Sequence, residues 1–477
     1  MNYSGFDVYE KSIHKAQING CEIEVFMAKG DSQGEGDFLV AAKGAPGFSG
    51  EGLADGRLKA QLNGDSANAL RKLFPFTAPS PVLRKERSFG LGDRLGVATP
   101  GHIALFNNYD AHPVFAQQSI RELNLTGRTY GDVLDAATFA VFREGFRKEW
   151  GADGDHLKTP EDVEYALGLG FTMITLDCSE HIKGGVTEAN APALPEKYRD
   201  KYLGKQFDIG EGVVLSFSEP ELKAIAAIYG DAIGFAAGMY ERFLKGGKYD
   251  ADFEISIDET ATPTTPLQHY FVAKELIDAG VSFATIAPRF CGEFQKGIDY
   301  SGDLAQFERE IKVHAVIARH FKYKLSIHSG SDKFSVFPSI GRETRGVFHV
   351  KTAGTNWLEA MRVIAQTDPA LYREVHKYAL EAFAEASKYY HVSADISKIP
   401  AVDSLSDSDL PNLFENNDAR QLIHITYGLI LGKKNPDGSF AFKDRMFQNW
   451  RQNEDAYAQA LKRHIGKHLD LLGVEKR

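Results

Sequence analysis

Thr159-Pro160-Glu161-Asp162-Val163-Glu164-Tyr165-Ala166-Leu167-Gly168-Leu169-Gly170-Phe171-Thr172-Met173-Ile174-Thr175-Leu176 reads as a helix that stops and a buried strand that begins. Thr159 is placed to cap, Pro160 has the φ preset for a first helical position, and two acids favour the positive end of the helix dipole. Gly168 and Gly170 end the helical stretch, and a short apolar, β-branched run follows. The same syntax returns at Thr265-Pro266-Leu267-Gln268, where Thr265 and Gln268 have capping-box spacing. There Leu267, Tyr270, Phe271 and Ile277 keep a helical period, Gly280 closes the helix, and Val281 to Ile286 resumes as strand.

Working outward, eight such strands are expected, near 88–92, 113–118, 149–154, 172–177, 254–258, 282–287, 324–328 and 347–351. Strands that alternate with helices pair in parallel through crossovers. Six or seven would favour an open doubly wound sheet, whereas eight predict a closed (β/α)8 barrel. The fold class is therefore α/β, with the barrel over 86–369 and an insertion near 179–250 that carries a helix from Pro220 to Leu244. Residues 1–85 read as a small strand-rich module, with strands at Cys21 to Ala28 and Asp37 to Ala42 and a connector marked by Pro75, Pro79 and Pro81. Residues 370–477 read as a helical extension, broken at Asp368-Pro369 and Asn435-Pro436-Asp437-Gly438.

Composition narrows the function classes. The net charge of −10, without a lysine or arginine cluster, is a poor match to nucleic acid or an anionic membrane surface. No basic-then-apolar leader opens the chain, and no run approaches the ~18 apolar residues of a membrane span. Three widely spaced cysteines, Cys21, Cys178 and Cys291, argue against a disulfide framework and for a reduced, cytoplasmic setting. Oligomeric state is left open, with room for a homo-oligomer.

A barrel carries its chemistry where the strands end. Those positions read Gly92-Asp93-Arg94, Gln117-Gln118-Ser119, Asp153-Gly154-Asp155-His156, Asp177-Cys178-Ser179-Glu180-His181, Asp258-Glu259-Thr260, Pro288-Arg289, His328-Ser329-Gly330-Ser331-Asp332-Lys333 and Lys351-Thr352. Singly, an Asp-Gly is a turn and a strand-end histidine is a structural hydrogen-bonder; their recurrence at strand ends points to a site. Imidazoles with carboxylate or amide oxygens suit a divalent cation of the zinc, manganese, nickel or cobalt type. His156 and His328 are the first candidate ligands. Gln295 is taken as the third, with Glu259 and His349 as alternatives that spacing does not separate. Asp155 is the candidate general base, and Glu259, from the far side of the barrel, its partner acid.

Anion binding is expected where Lys351-Thr352-Ala353-Gly354-Thr355-Asn356 runs from the eighth strand into a helix whose first amides are free. Gln118, Arg289, Lys333 and Lys351 are the candidate substrate contacts, although Lys351 could equally pair with a barrel carboxylate. The glycine-rich Gly90-Leu91-Gly92-Asp93-Arg94-Leu95-Gly96 is one residue too long for a dinucleotide fingerprint. Walker A, His-Glu-x-x-His and nucleophile-elbow patterns do not occur.

Four segments, Ser88-Phe89-Gly90-Leu91-Gly92-Asp93-Arg94, Gly151-Ala152-Asp153-Gly154-Asp155-His156, Ile257-Asp258-Glu259-Thr260 and Ser326-Ile327-His328-Ser329-Gly330-Ser331-Asp332-Lys333, resemble the tagaturonate/fructuronate epimerases of bacterial hexuronate breakdown. The resemblance implies a divalent metal, a ketohexuronate substrate, Asp155 as proton acceptor, Glu259 as proton donor, and His156 and His328 as ligands; it leaves the third ligand open. The two ketouronates differ one carbon beyond the position that a ketone acidifies, so simple enolisation cannot invert it. A retro-aldol cleavage, rotation and re-addition can. The alternatives are a metal-dependent sugar isomerase or class II aldolase on the same barrel, and a sugar-acid binding protein without catalysis.

Overall fold

The computed structural model describes Tyr3, residues 5–30 and residues 36–477. All eight expected barrel strands form: Arg87–Leu91 (β1), His112–Ser119 (β2), Gly151–Leu157 (β3), Met173–Asp177 (β4), Asp252–Ile257 (β5), Thr285–Pro288 (β6), Lys324–Ile327 (β7) and Phe348–Thr352 (β8). They pair in parallel, and β8 closes on β1 with Phe348 opposite Arg87 and Thr352 opposite Leu91. The caps that reveal the βα syntax are in place. Thr159 accepts from the Asp162 N–H at 3.2 Å, and Thr265 and Gln268 cap each other reciprocally at 3.3 and 2.8 Å. Two details differ. Strand β6 starts later than expected because the Val281 N–H still belongs to the preceding helix, donating to Leu276 O (3.0 Å). Ile277 points to solvent in the last turn while its neighbour Leu276 takes the buried position.

The strands alternate as a half-polar barrel should. On β5, Phe253, Ile255 and Ile257 face the helices and join the main apolar core. Glu254, between them, faces inward, where it meets side chains from β4, β6 and β8 and His328 just past β7. Between β4 and β5 the chain adds a short helix Glu196–Tyr202, a two-stranded ribbon and the 25-residue helix Glu219–Phe243. This last helix has the length and mean hydropathy of a membrane span. Its Leu222, Ile225, Tyr229, Ile233, Met239 and Phe243 nevertheless pack into the main core.

Near the N-terminus, strands His14–Ile18, Cys21–Ala28, Phe38–Ala41, Glu51–Gly52 and Leu58–Gln61 make one antiparallel sheet. Its Val25 and Leu39, with Leu70 and Phe74 from helix Gly64–Leu73 and its C-terminal end, share one core with Phe139 and Phe142 of helix Tyr130–Glu144, outside the barrel wall. His14 lies in this joint. Its Nε2 is 2.9 Å from Phe142 O and its Nδ1 3.1 Å from an Arg147 Nη2, so the ring is held as the neutral tautomer that donates to one and accepts from the other. Burial first, and Arg147 with it, hold its pKa below the ordinary 6.5. The stability it contributes is therefore complete above pH about 6.5 and lost as pH falls through the depressed folded value. Thermal melts between pH 5 and 7.5 should show a shallower acid loss in His14→Gln than in the parent.

The C-terminal helices build a second core around Trp357, Tyr427 and Trp450. The final helix, Glu454–Leu471, and the residues just after it seat on barrel helix Phe337–Glu343 at Gly341, where an added Cβ would lie 2.2 Å from Leu472 O. Backbone cannot yield as a side-chain tip can. Gly341→Ala should cost about 1–3 kcal/mol and lower the melting temperature by several degrees, read by calorimetry.

Candidate active site

Successive residues of a strand point to opposite faces, yet Asp155 and His156 both line the cavity at the strand ends. A bulge makes this happen. The β3–β4 register shifts between Gly154 and Leu157, and His156 takes φ +55°, a left-handed conformation that side chains other than glycine adopt at a cost. Ser329, just past β7, does the same at φ +50°, next to His328. One strained position is thus a histidine itself and the other follows its partner; the two rings stand 5.0 Å apart, edge to face.

Each histidine is fixed by acids. His328 Nε2 lies 2.7 Å from Glu254 Oε1 and its Nδ1 3.1 Å from Asp258 Oδ1. His156 Nδ1 is 3.4 Å from Asp177 Oδ2. Burial alone would lower the His328 pKa, but Asp258 and Glu254 outweigh it and lift it to about 10. Asp258 is held well below the usual carboxylate range: burial would raise it, and His328 overrides that. Asp177 is lowered to about 2, where His156 and Ser179 overcome burial.

One layer deeper, the barrel interior is ionic where most barrels are packed with branched aliphatics. Lys351 Nζ touches Asp153 Oδ2 (2.6 Å), Asp155 Oδ1 and the Thr175 hydroxyl (2.7 Å), with Glu254 Oε1 at 3.5 Å. Thr285 donates to the other Glu254 oxygen at 2.6 Å. Burial drives the Asp153 carboxyl up to about 6 despite Lys351. At Asp155, burial is outweighed by Lys351 and His156, so this carboxylate stays ionised. A carboxylate at the cavity wall, kept charged and next to two imidazoles, is equipped to accept a proton.

Three donor atoms, one each from His156, His328 and Asp258, lie within 4.8 Å of one another, and a second such group joins His156 to Asp177 and Glu259. The His156 Nδ1 and Asp177 Oδ2 atoms are buried without a hydrogen-bond partner. Glu254 can take the Nε2–H of His328, the usual arrangement behind a ligating imidazole, so that a cation would replace the proton Nδ1 now shares with Asp258 Oδ1. Two imidazoles with a carboxylate fit a divalent cation. The surrounding mouth encloses about 540 Å³, room for a sugar-sized ligand. One wall of it, Tyr389, Tyr390 and His391, comes from the segment after helix Pro369–Ala386.

A family model described as tagaturonate epimerase (UxaE) matches residues 9–472. The chain belongs to the tagaturonate epimerase family. It is 45% identical over 491 aligned positions to the tagaturonate/fructuronate epimerase of Thermotoga maritima, covering 98% of this chain and 97% of that one. It is similar, at 49% identity and a TM-score of 0.93, to crystal structures of the fructuronate-tagaturonate epimerase of Cohnella laeviribosi. The glycerol-complexed structure is covered to 97% by 98% of this chain, the native one to 97% by 99%.

Within this epimerase frame the expected site residues separate. Asp155 and His156 line the inner cavity, Glu259 and His328 line both that cavity and the mouth, and Arg289 lines the mouth. Gln295 lines it too, its Oε1 accepting from Ser393 N (2.9 Å) and Gln421 Nε2 (3.0 Å), and Asp258 places a carboxylate oxygen beside the two histidines. His349 lies deeper, with Nδ1 2.9 Å from the Ser88 hydroxyl. Gln118 is on the outward face of β2, and its neighbours Gln117 and Ser119 face the cavity, a consequence of strand parity. Lys333 turns away: its ammonium is spent on the carbonyls of Gln295, Ile298 and Ser331. Lys351 borders the cavity, but its charge is committed to Asp153, Asp155 and Glu254 rather than to an incoming anion. Asp153, Glu254 and Asp258 had a readable signal, the period-two polar residues of Asp252-Phe253-Glu254-Ile255-Ser256-Ile257-Asp258 and of Asp153-Gly154-Asp155.

Proposed function

We propose that this chain interconverts D-tagaturonate and D-fructuronate by retro-aldol chemistry, with Asp155 as proton acceptor and His156, His328 and Asp258 holding a divalent cation. The observation that carries the reading is the β3 bulge, which turns Asp155 and His156 together toward His328 and Asp258 in one cavity. A cation there would supply Lewis acidity for the substrate's ketone.

The chain's own residues account for the proton movements. Asp155, ionised and steadied by Lys351, takes the proton of the hydroxyl at the carbon to be inverted. That oxygen's electron pair becomes an aldehyde carbonyl, and the carbon–carbon bond between this carbon and the hydroxyl-bearing carbon next to the ketone breaks. The released electron pair turns the ketone half into an enediolate. The aldehyde half rotates about its own carbon–carbon bond and presents the other face. Re-addition forms the bond again, and Asp155 returns the proton to the new hydroxyl. Glu259, half-exposed beside His156 and not across the barrel from Asp155, hydrogen-bonds the substrate at the cavity rim and shares the proton traffic.

The test is to incubate the metal-loaded protein with D-tagaturonate in deuterated water and identify the products. D-Fructuronate without deuterium at the inverted carbon is expected. Label fixed at that carbon would replace the retro-aldol route with direct deprotonation, and a product with its ketone moved would make the protein an isomerase of another kind.

A further inference from the structure

The strand-end cavity has two electrically distinct ends. One is the acid-rich cluster around His156 and His328. The other lies under the start of helix Gly354–Thr367, where Arg94, Arg121 and Lys296 line the same cavity. Arg94 is 2% exposed, and its Nε and Nη2 both go to Glu122 Oε1, at 2.9 and 2.7 Å. Its guanidinium lies over the Tyr427 ring at 3.9 Å, and its Nη1 is buried without a partner. His424 is fully buried against the same end, and neither of its ring nitrogens has a partner. Its Nε2 would sit 1.6 Å from a Cβ on Gly354, so only glycine lets this ring approach the helix start. That start has no side-chain cap, which leaves first-turn amides available.

The charges do not cancel. Lys296 Nζ has the Ser329 hydroxyl at 3.2 Å, and Arg121 reaches Glu259 only at 3.9 Å. Glu122 and Glu259 face three cations. Burial, and the nearby Arg121 after it, hold the Lys296 pKa below its ordinary value. A planar anion with two oxygens would take the free Arg94 nitrogen, the Lys296 ammonium and the helix amides together.

We propose that Arg94, Arg121 and Lys296, with the uncapped start of helix Gly354–Thr367, form the binding site for the carboxylate of the ketouronate substrate. This rests on the epimerase reading above and adds to it. In the retro-aldol scheme the carboxylate belongs to the aldehyde half. Held there, that half keeps its place by its charged end while its formyl group turns, and it is not lost from the enzyme between cleavage and re-addition.

Lys296→Met and Arg121→Gln test this in the full-length, metal-loaded protein, with Arg94→Lys as the conservative change at the buried position. KM for D-tagaturonate should rise about 10- to 100-fold in each, the worth of a charge-assisted hydrogen bond, with a smaller change in kcat. Inhibition by D-tagatose, the same sugar without the carboxylate, should stay within about twofold, because a neutral ligand makes no use of the cations. An unchanged KM in both Lys296→Met and Arg121→Gln overturns the proposal, and so does an equal loss for tagaturonate and tagatose. A parent protein that leaves D-tagaturonate unchanged overturns the epimerase reading alone; D-galacturonate binding by calorimetry, compared between parent and Lys296→Met, then decides the carboxylate site.

Discussion

Asp155→Asn is expected to lower the turnover of D-tagaturonate by about 10²–10⁴-fold, the usual contribution of a positioned general base, with little change in KM. The amide keeps the shape of the carboxylate and cannot take the hydroxyl proton. The surroundings survive the change, since Lys351 retains Asp153 at 2.6 Å and the Thr175 hydroxyl at 2.7 Å. Circular dichroism and melting temperature should therefore stay near those of the parent while kcat falls. Turnover within about threefold of the parent, set against that expected range, would transfer the proton-acceptor role to another group, with Glu259 the next to examine.

The second large effect is on the cation. Chelation should lower turnover by about a thousandfold, which corresponds to the several kcal/mol that a bound divalent ion contributes to stabilising developing charge. Adding the ion back should restore it. His328→Ala should abolish the recovery, since it removes a donor that lies between Glu254 and Asp258. Glu254→Gln is the finer probe. It leaves all three candidate ligands in place but loosens the orientation of His328, and should weaken metal affinity by about 10–100-fold, measured by competitive titration with a chelating dye. Full activity after exhaustive metal removal would refute the assigned role of the His156, His328 and Asp258 cluster.

The barrel was legible because its evidence is local and repeated. Thr159-Pro160 and Thr265-Pro266 announce helix starts, glycines announce their ends, and short apolar runs follow, so each βα unit can be read within some twenty residues. Site positions at the strand ends were legible for the same reason. Side-chain direction was less so. Whether Gln117 or Gln118 faces inward depends on strand parity, and one bulged residue reverses it; at β3 the bulge lets both Asp155 and His156 face the cavity. Partnerships across the barrel were not readable from spacing at all. Lys333 and Lys351 look alike as cations near strand ends, yet one ends on three carbonyl oxygens and the other among three carboxylates. Arg94, in a segment read for its glycines, gains its significance only from Glu122, Tyr427 and His424, which lie as far as about 330 residues away along the chain.

The wall of Tyr389, Tyr390 and His391 has a consequence for how activity arises during synthesis. Translation runs from the amino end, so all eight strands are made by Thr352, before this wall and before His424 and Tyr427. Ribosome-stalled chains of increasing length should gain barrel-like protection from proteolysis before they gain any turnover. Catalysis would then switch on late, only after the segment bearing His424 and Tyr427 has cleared the exit tunnel.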